Sequence, residues 1–198
     1  MPKKSNRKLF VVIQPLQYLQ ALELFEENEE RFLIVPWANE KNQLHKLVNE
    51  EDWDRVIWIE YSGTAVDIVK NSKKIKKMLK DIGLFDEVII SAYYNEFMNL
   101  IANHNVGANI VLLEDGNATI AIDSSIHYKN TKFFSKYIFC SLLSFDIRPI
   151  NNATLFILDR KVKMKIPSIA ANVRINEYKK LKSEVSNYFC DGSVYFIS

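Results

Sequence analysis

Apolar runs alternate along the chain with stretches of helical period. "KLFVVIQ" (8–14), "RFLIVPW" (31–37), "RVIWIEY" (55–61), "DEVIISAYY" (86–94) and "NIVLLEDG" (109–116) read as five strands. Between them, 15–28, 39–50, 64–82 and 96–105 read as helices. In the first, Tyr18, Ala21, Leu22 and Phe25 recur at the spacing of one helix face, and Pro15 suits the first turn. Gly83 is a stop signal for the third. The strands are apolar throughout rather than alternating, the pattern of strands covered on both faces. Five such β-α steps predict an α/β fold: a Rossmann-like three-layer sandwich around a mainly parallel sheet. Beyond it, 118–122 ("ATIAI") reads as a short strand or extension, 131–145 as a helix, 153–158 as a sixth strand and 173–187 as a helix. Asp191 and Gly192 signal a turn before a last strand-like run, 194–197.

Composition narrows the class. A chain of 198 residues is about one domain, and its net charge of +2 implies no bulk polyanion partner. Its two cysteines, Cys140 and Cys190, are too few for a disulfide framework and read as reduced thiols. The apolar run after the basic start is too short for a signal peptide, and "FFSKYIFCSLLSF" (133–145) is too short and too interrupted to span a bilayer. The expectation is a cytoplasmic protein. Neither G-x-G-x-x-G nor G-x-x-x-x-G-K-[ST] occurs, and five glycines leave little for a phosphate cradle.

Chemistry enters at "VLLEDGNATI" (111–120), where a buried run ends in Glu114, Asp115 and Gly116. Ligands of open parallel sheets sit outside the carboxyl ends of the strands. Neighbouring strand residues point to opposite faces, so one acid should meet the cleft while the other holds the turn or pairs nearby. A carboxylate so placed can act as general base. Acid-Gly at a strand end is also the ordinary way to build a turn.

"VVIQPLQYLQALEL" near the start, with "VLLEDGNATI" about one hundred residues later, resembles the bacterial lipooligosaccharide sialyltransferases and the related capsule polysialyltransferases. The resemblance implies the amino-terminal half of a GT-B-type glycosyltransferase: residues 1–190 as the acceptor-side domain, and 191–198 as the first strand of a missing carboxyl-terminal donor-binding domain. It implies that Asp115 deprotonates an acceptor-sugar hydroxyl, which attacks the anomeric carbon of CMP-sialic acid with inversion. Glu114, Gly116 and Asn117 would shape the loop of that base. No cofactor and no metal are implied. The partners are a surface glycan acceptor and the nucleotide sugar. The family's His-Pro motif is absent: His45, His104 and His127 are followed by Lys, Asn and Tyr. This chain alone is therefore expected to bind cytidine monophosphate weakly and to be inactive.

Other segments have two readings each. Gln14 and Gln17 can hydrogen-bond sugar hydroxyls, or simply start a helix. Ser62, Gly63 and Thr64 open a helix and can hold an anion, or serve as a plain cap. Six lysines in "KNSKKIKKMLK" (70–80) form a solvated helix face, or else attract anionic headgroups or a polyanionic glycan. Peripheral association with the inner membrane is the partner that this second reading names. "FFSKYIFCSLL" belongs in the core, or docks on a membrane or on the missing domain. Nucleic acid does not fit, because the remainder of the chain is not basic. His127 near Asp123 and Ser124 makes no triad by proximity alone. The alternative to a sialyltransferase-like domain is a non-catalytic α/β binding module in which Glu114-Asp115-Gly116 is only a turn.

Overall fold

A computed structural model describes residues 5–37, 43–61, 64–115, 119, 122–124, 131–158 and 166–185. Seven parallel strands form its sheet: β1 (Asn6–Val11), β2 (Glu29–Trp37), β3 (Arg55–Glu60), β4 (Glu87–Ile90), β5 (Asn109–Leu113), β6 (Ala153–Leu158) and β7 (Ala170–Asn176). Their spatial order is β3-β2-β1-β4-β5-β6-β7. The helices are α1 (Pro15–Leu22), α2 (Leu44–Leu47), α3 (Ala65–Lys70), α4 (Ser72–Ile82), α5 (Glu96–His104), α6 (Thr131–Leu142) and α7 (Lys179–Val185). The Rossmann-like α/β fold read from the sequence is the fold observed.

Strand alternation divides the interior into two cores. Leu9 and Val11 of β1 join Ile34, Val88, Ile90, Leu112 and Leu155 against α3 to α6. Phe10 and Val12 face the other way, into a core with Tyr18, Ala21, Leu33, Trp53 and Val111. Trp53 is an anchor there, with edge-on contacts to Phe10 at 5.1 Å and Phe25 at 4.9 Å. Burying such a side chain is worth roughly 1.5–3 kcal/mol, which is why uninterrupted apolar strands settle between two helical layers.

The carboxyl-terminal helix locks onto the first one. Glu23, just after α1, accepts from the backbone N of Lys180 (3.1 Å) and of Leu181 (2.8 Å), at the start of α7. Lys180 Nζ returns two bonds, to the carbonyls of Leu22 (2.9 Å) and Phe25 (2.7 Å).

Several boundaries differ from the sequence reading. The helix expected over 64–82 is two, broken at Asn71, whose φ of −95° and ψ of 12° leave the helical region. The first helix stops at Leu22 rather than at 28. The fourth and fifth strands stop at Ile90 and Leu113. Thr119 and Ile122 of "ATIAI" lie in helical turns and not in a strand. The expected helix from Val173 is instead the edge strand β7, which pairs with β6 from Ala153↔Ala170 to Leu158↔Asn176. The helix starts only at Lys179, after a turn in which Asn176 Oδ1 accepts from Tyr178 N at 2.9 Å. Residues 186–198, including Cys190 and the run at 194–197, lie outside the described residues, as does His127.

Candidate functional site at the carboxyl edge of the sheet

The chain leaves β1 to build β2 and β3 on one side, then returns to build β4 to β7 on the other. The carboxyl ends of β1 and β4 therefore flank the point where strand order reverses, the place where sheets of this kind open a ligand crevice. Three segments converge there: residues 12–17 after β1, Ser91 to Asn95 after β4, and Glu114 and Asp115 after β5.

Gln17 joins them. Its side chain is 1% exposed. Oε1 accepts from the backbone N of Ile13 (3.0 Å) and of Gln14 (3.1 Å), at the start of α1. With the oxygen fixed by two donors, the amide nitrogen must face the other way. It donates to the Ser91 carbonyl at 3.4 Å and to Asp115 Oδ1 at 3.3 Å. The amide thus spans the ends of β1, β4 and β5. Of the two readings of Gln17, this geometry matches the helix start, with the amide engaged inside the edge. Gln14 remains exposed.

The two acids separate as strand alternation requires. Glu114 is 3% exposed, and its Oε2 accepts from Leu158 N at 2.8 Å, tying β5 to β6. Its backbone continues the ladder through Glu114 N to the Phe156 carbonyl at 3.0 Å, while its own carbonyl accepts from Gln20 Nε2 at 3.0 Å. Glu114 is therefore a strut, the acid that pairs nearby while its neighbour meets the edge. Asp115 is only partly buried. Its backbone N donates to Thr119 Oγ1 at 2.8 Å. Among the described residues Asp115 has no cationic partner, and its Oδ2 has no hydrogen bond. Gly116 and Asn117 lie outside the described residues.

The sequence reading placed Tyr93 and Tyr94 inside a strand. They stand in the loop after β4, edge to face at 4.9 Å. Tyr93 Oη donates to the Ile150 carbonyl (3.1 Å) and Tyr94 Oη to that of Ile122 (2.8 Å). Burial, and after it the neighbouring Tyr94 and Asp123, push the Tyr93 phenol above its ordinary range. Asp123 Oδ1 in turn accepts from Ser168 N (2.9 Å) and Oγ (2.7 Å), so a serine other than Ser124 is its partner. A tyrosine pair directly after a strand next to the reversal point was the signal that could have marked this loop.

The expected anion site at 62–64 does not gain support. Ser62 and Gly63 lie outside the described residues. Thr64 caps α3 without a side-chain cap bond, α3 runs only from Ala65 to Lys70, and Asp67 occupies its first turn. Among the described residues no group of His, Cys, Asp or Glu is arranged to hold a metal ion. A concavity of about 510 Å³ lies between α4, α5 and residues 144–146, lined by Lys76, Leu100, His104 and Phe145 among others. The carboxyl halves of α4 and α5 border it, so it sits toward the amino edge of the sheet, away from Asp115. No protein-family model matches this chain, and no curated protein matches it.

Proposed function

We propose that this domain is the acceptor side of a sialyltransferase-like, inverting glycosyltransferase, with Asp115 as its general base. One observation carries the reading. A partly exposed carboxylate, without a cation among the described residues, stands beside the reversal point of the sheet with one oxygen held by a locked amide. Gln17 Nε2 fixes Oδ1, which leaves Oδ2 for an acceptor hydroxyl. In the reaction that hydroxyl gives its proton to Asp115 and its oxygen bonds to the anomeric carbon of sialic acid. The bond from that carbon to the phosphate oxygen breaks, and cytidine monophosphate departs with the electron pair. The sequence has no His-Pro pair. On this reading the nucleotide is held by residues outside this domain, and the acceptor is a surface glycan.

The experiment has two arms. Chemical-shift mapping with galactose- and sialic-acid-terminated oligosaccharides should move resonances of Gln14, Ser91, Tyr93 and Asp115. A panel that leaves this edge unmoved refutes the acceptor site. In sialyl transfer from CMP-sialic acid, by a protein that also holds the nucleotide, Asp115→Asn should lower turnover by about 10²- to 10⁴-fold. Undiminished turnover removes Asp115 from the chemistry. The second reading, a non-catalytic binding module, draws on the hydrogen bonds that engage Asp115 N and Oδ1 within the domain. It predicts bound ligand with no transfer.

A further inference from the structure

Helix α6 was read as belonging in the core or as docking on a membrane or on the missing domain; among its described side chains Cys140 is fully buried. Ile138, Phe139 and Leu142 are exposed by 43%, 63% and 75%, and Val66 of the neighbouring α3 by 56%. Between the two helices runs a groove of about 360 Å³ lined by Ala65, Val66, Val69, Lys136 and Phe139. Large apolar side chains clustered on a surface mark an interaction site more often than scattered ones do.

The surrounding charge says what kind. Segments 65–82 and 131–145 together carry eight lysines against two acids, Asp67 and Asp81, a net +6 that leaves −4 for the rest of the chain. Lys70, Lys73, Lys74, Lys76, Lys77 and Lys80 are all exposed, and none pairs with an acid among the described residues. Lys76 Nζ lies 5.5 Å from the centre of the Phe145 ring, which joins the lysine helix to the end of α6. The apolar strip and the lysines therefore share one outer helical layer.

We infer that this layer is a docking face for a bilayer carrying anionic headgroups, with α6 and α3 resting in the interface plane and the α4 lysines on the phosphates. An anionic bilayer satisfies both features at once: the rings and aliphatic chains enter the headgroup boundary while the ammonium groups stay outside it. A second copy of this chain would set lysines against lysines across a two-fold axis. A soluble polyanion would engage the lysines and leave Phe139 and Leu142 in water. Among the described residues no helix is long and apolar enough to cross a membrane. The proposal is independent of the chemistry at Asp115.

Flotation of the full chain with phosphatidylcholine vesicles, alone or mixed with phosphatidylglycerol, tests it. The protein should float with the mixed vesicles and stay behind with the neutral ones, and high salt should release it. Lys73→Gln/Lys74→Gln/Lys77→Gln should weaken partitioning about a hundredfold, roughly fivefold per lysine. Phe139→Ser/Leu142→Ser should weaken it by about tenfold or more, with unchanged circular dichroism because both side chains already face solvent. Failure to float on mixed vesicles overturns the proposal, as does binding that ignores both sets of substitutions. Light scattering that shows a dimer lost in Phe139→Ser/Leu142→Ser would assign the face to a second copy instead.

Discussion

Lys8 is the residue whose replacement reports most directly on how the sheet is held at its amino edge. Its side chain is 0% exposed, and Nζ stands 2.8 Å from Glu29 Oε2, 3.2 Å from Glu26 Oε2 and 3.1 Å from the Leu24 carbonyl. The Glu29 contact is an ion pair by distance rather than a well-directed hydrogen bond. The Glu29 side chain is 1% exposed, and its other oxygen accepts from Arg31 Nε at 2.9 Å and from Glu26 N at 2.9 Å. Lys8→Met keeps the length of the side chain and removes its charge. Breaking a buried pair from one side costs about 3–5 kcal/mol, because the remaining charge is stranded. Arg31 still neutralises Glu29, so the lower end, about 3 kcal/mol, is expected, equivalent to a drop in Tm of roughly 6–12 °C in a domain of this size. Lys8→Met/Glu29→Gln removes the stranded charge and retains an acceptor for Glu26 N. It should recover at least half of the loss, about 1.5 kcal/mol or more, and the coupling is that recovery plus the cost of Glu29→Gln alone. Urea unfolding of the four proteins, followed by circular dichroism, completes the cycle. A Lys8→Met protein within about 0.5 kcal/mol of wild type, the range of an ordinary surface change, would refute the reasoning.

Three further outcomes follow from single positions. Gly83 ends α4 at φ 72° and ψ −156°, a region essentially reserved for glycine, so Gly83→Ala should lower stability by about 1–3 kcal/mol although a Cβ there would lie an ordinary 3.5 Å from Arg7 Nη1. Equal denaturation midpoints would contradict this. The hydrogen bond from Arg148 holds the Asp146 carboxyl below its usual range, outweighing partial burial. That contribution is present above the ordinary aspartate value of about 3.9 and fades as pH falls through the lower folded value. The Tm gap between wild type and Asp146→Asn should therefore close in acid; a gap constant with pH would oppose it. Burial pushes the Cys140 thiol up. Iodoacetamide should modify it only after unfolding, as read by peptide mapping that separates it from Cys190; equal labelling of the native protein would show that the site opens.

Much of the fold was legible because a parallel strand buried on both faces leaves an uninterrupted apolar run, and "LFVV", "VII" and "IVLL" are such runs. What escaped was whatever depends on partners far along the chain. β7 is an edge strand whose outer residues stay wet, so its sequence carries no core signal, and its pairing with β6 decided its state. The break at Asn71 was hidden because Ile68 and Ile75, buried on either side of it, keep a helix-like seven-residue spacing. At the site, the strand end and its acids were visible in "VLLEDG", and alternation correctly separated Glu114 from Asp115. The role of Gln17 was not visible, since the amide meets Asp115 across 98 positions of sequence.

The place of β1 in the sheet has a consequence during synthesis. It is made first, yet it ends in the interior, between β2 and β4. When residue 60 has emerged, β1, β2 and β3 can already pair, but the margin of β1 that will meet Glu87–Ile90 has no neighbour. At ribosomal speeds that margin waits about 2–6 s for its strand. A nascent ribbon with one bare, apolar side is a target for holding chaperones and for sticking to its own kind on a crowded polysome. Slower growth at low temperature or extra chaperone should therefore raise the soluble yield of this chain more than any change to its finished surface.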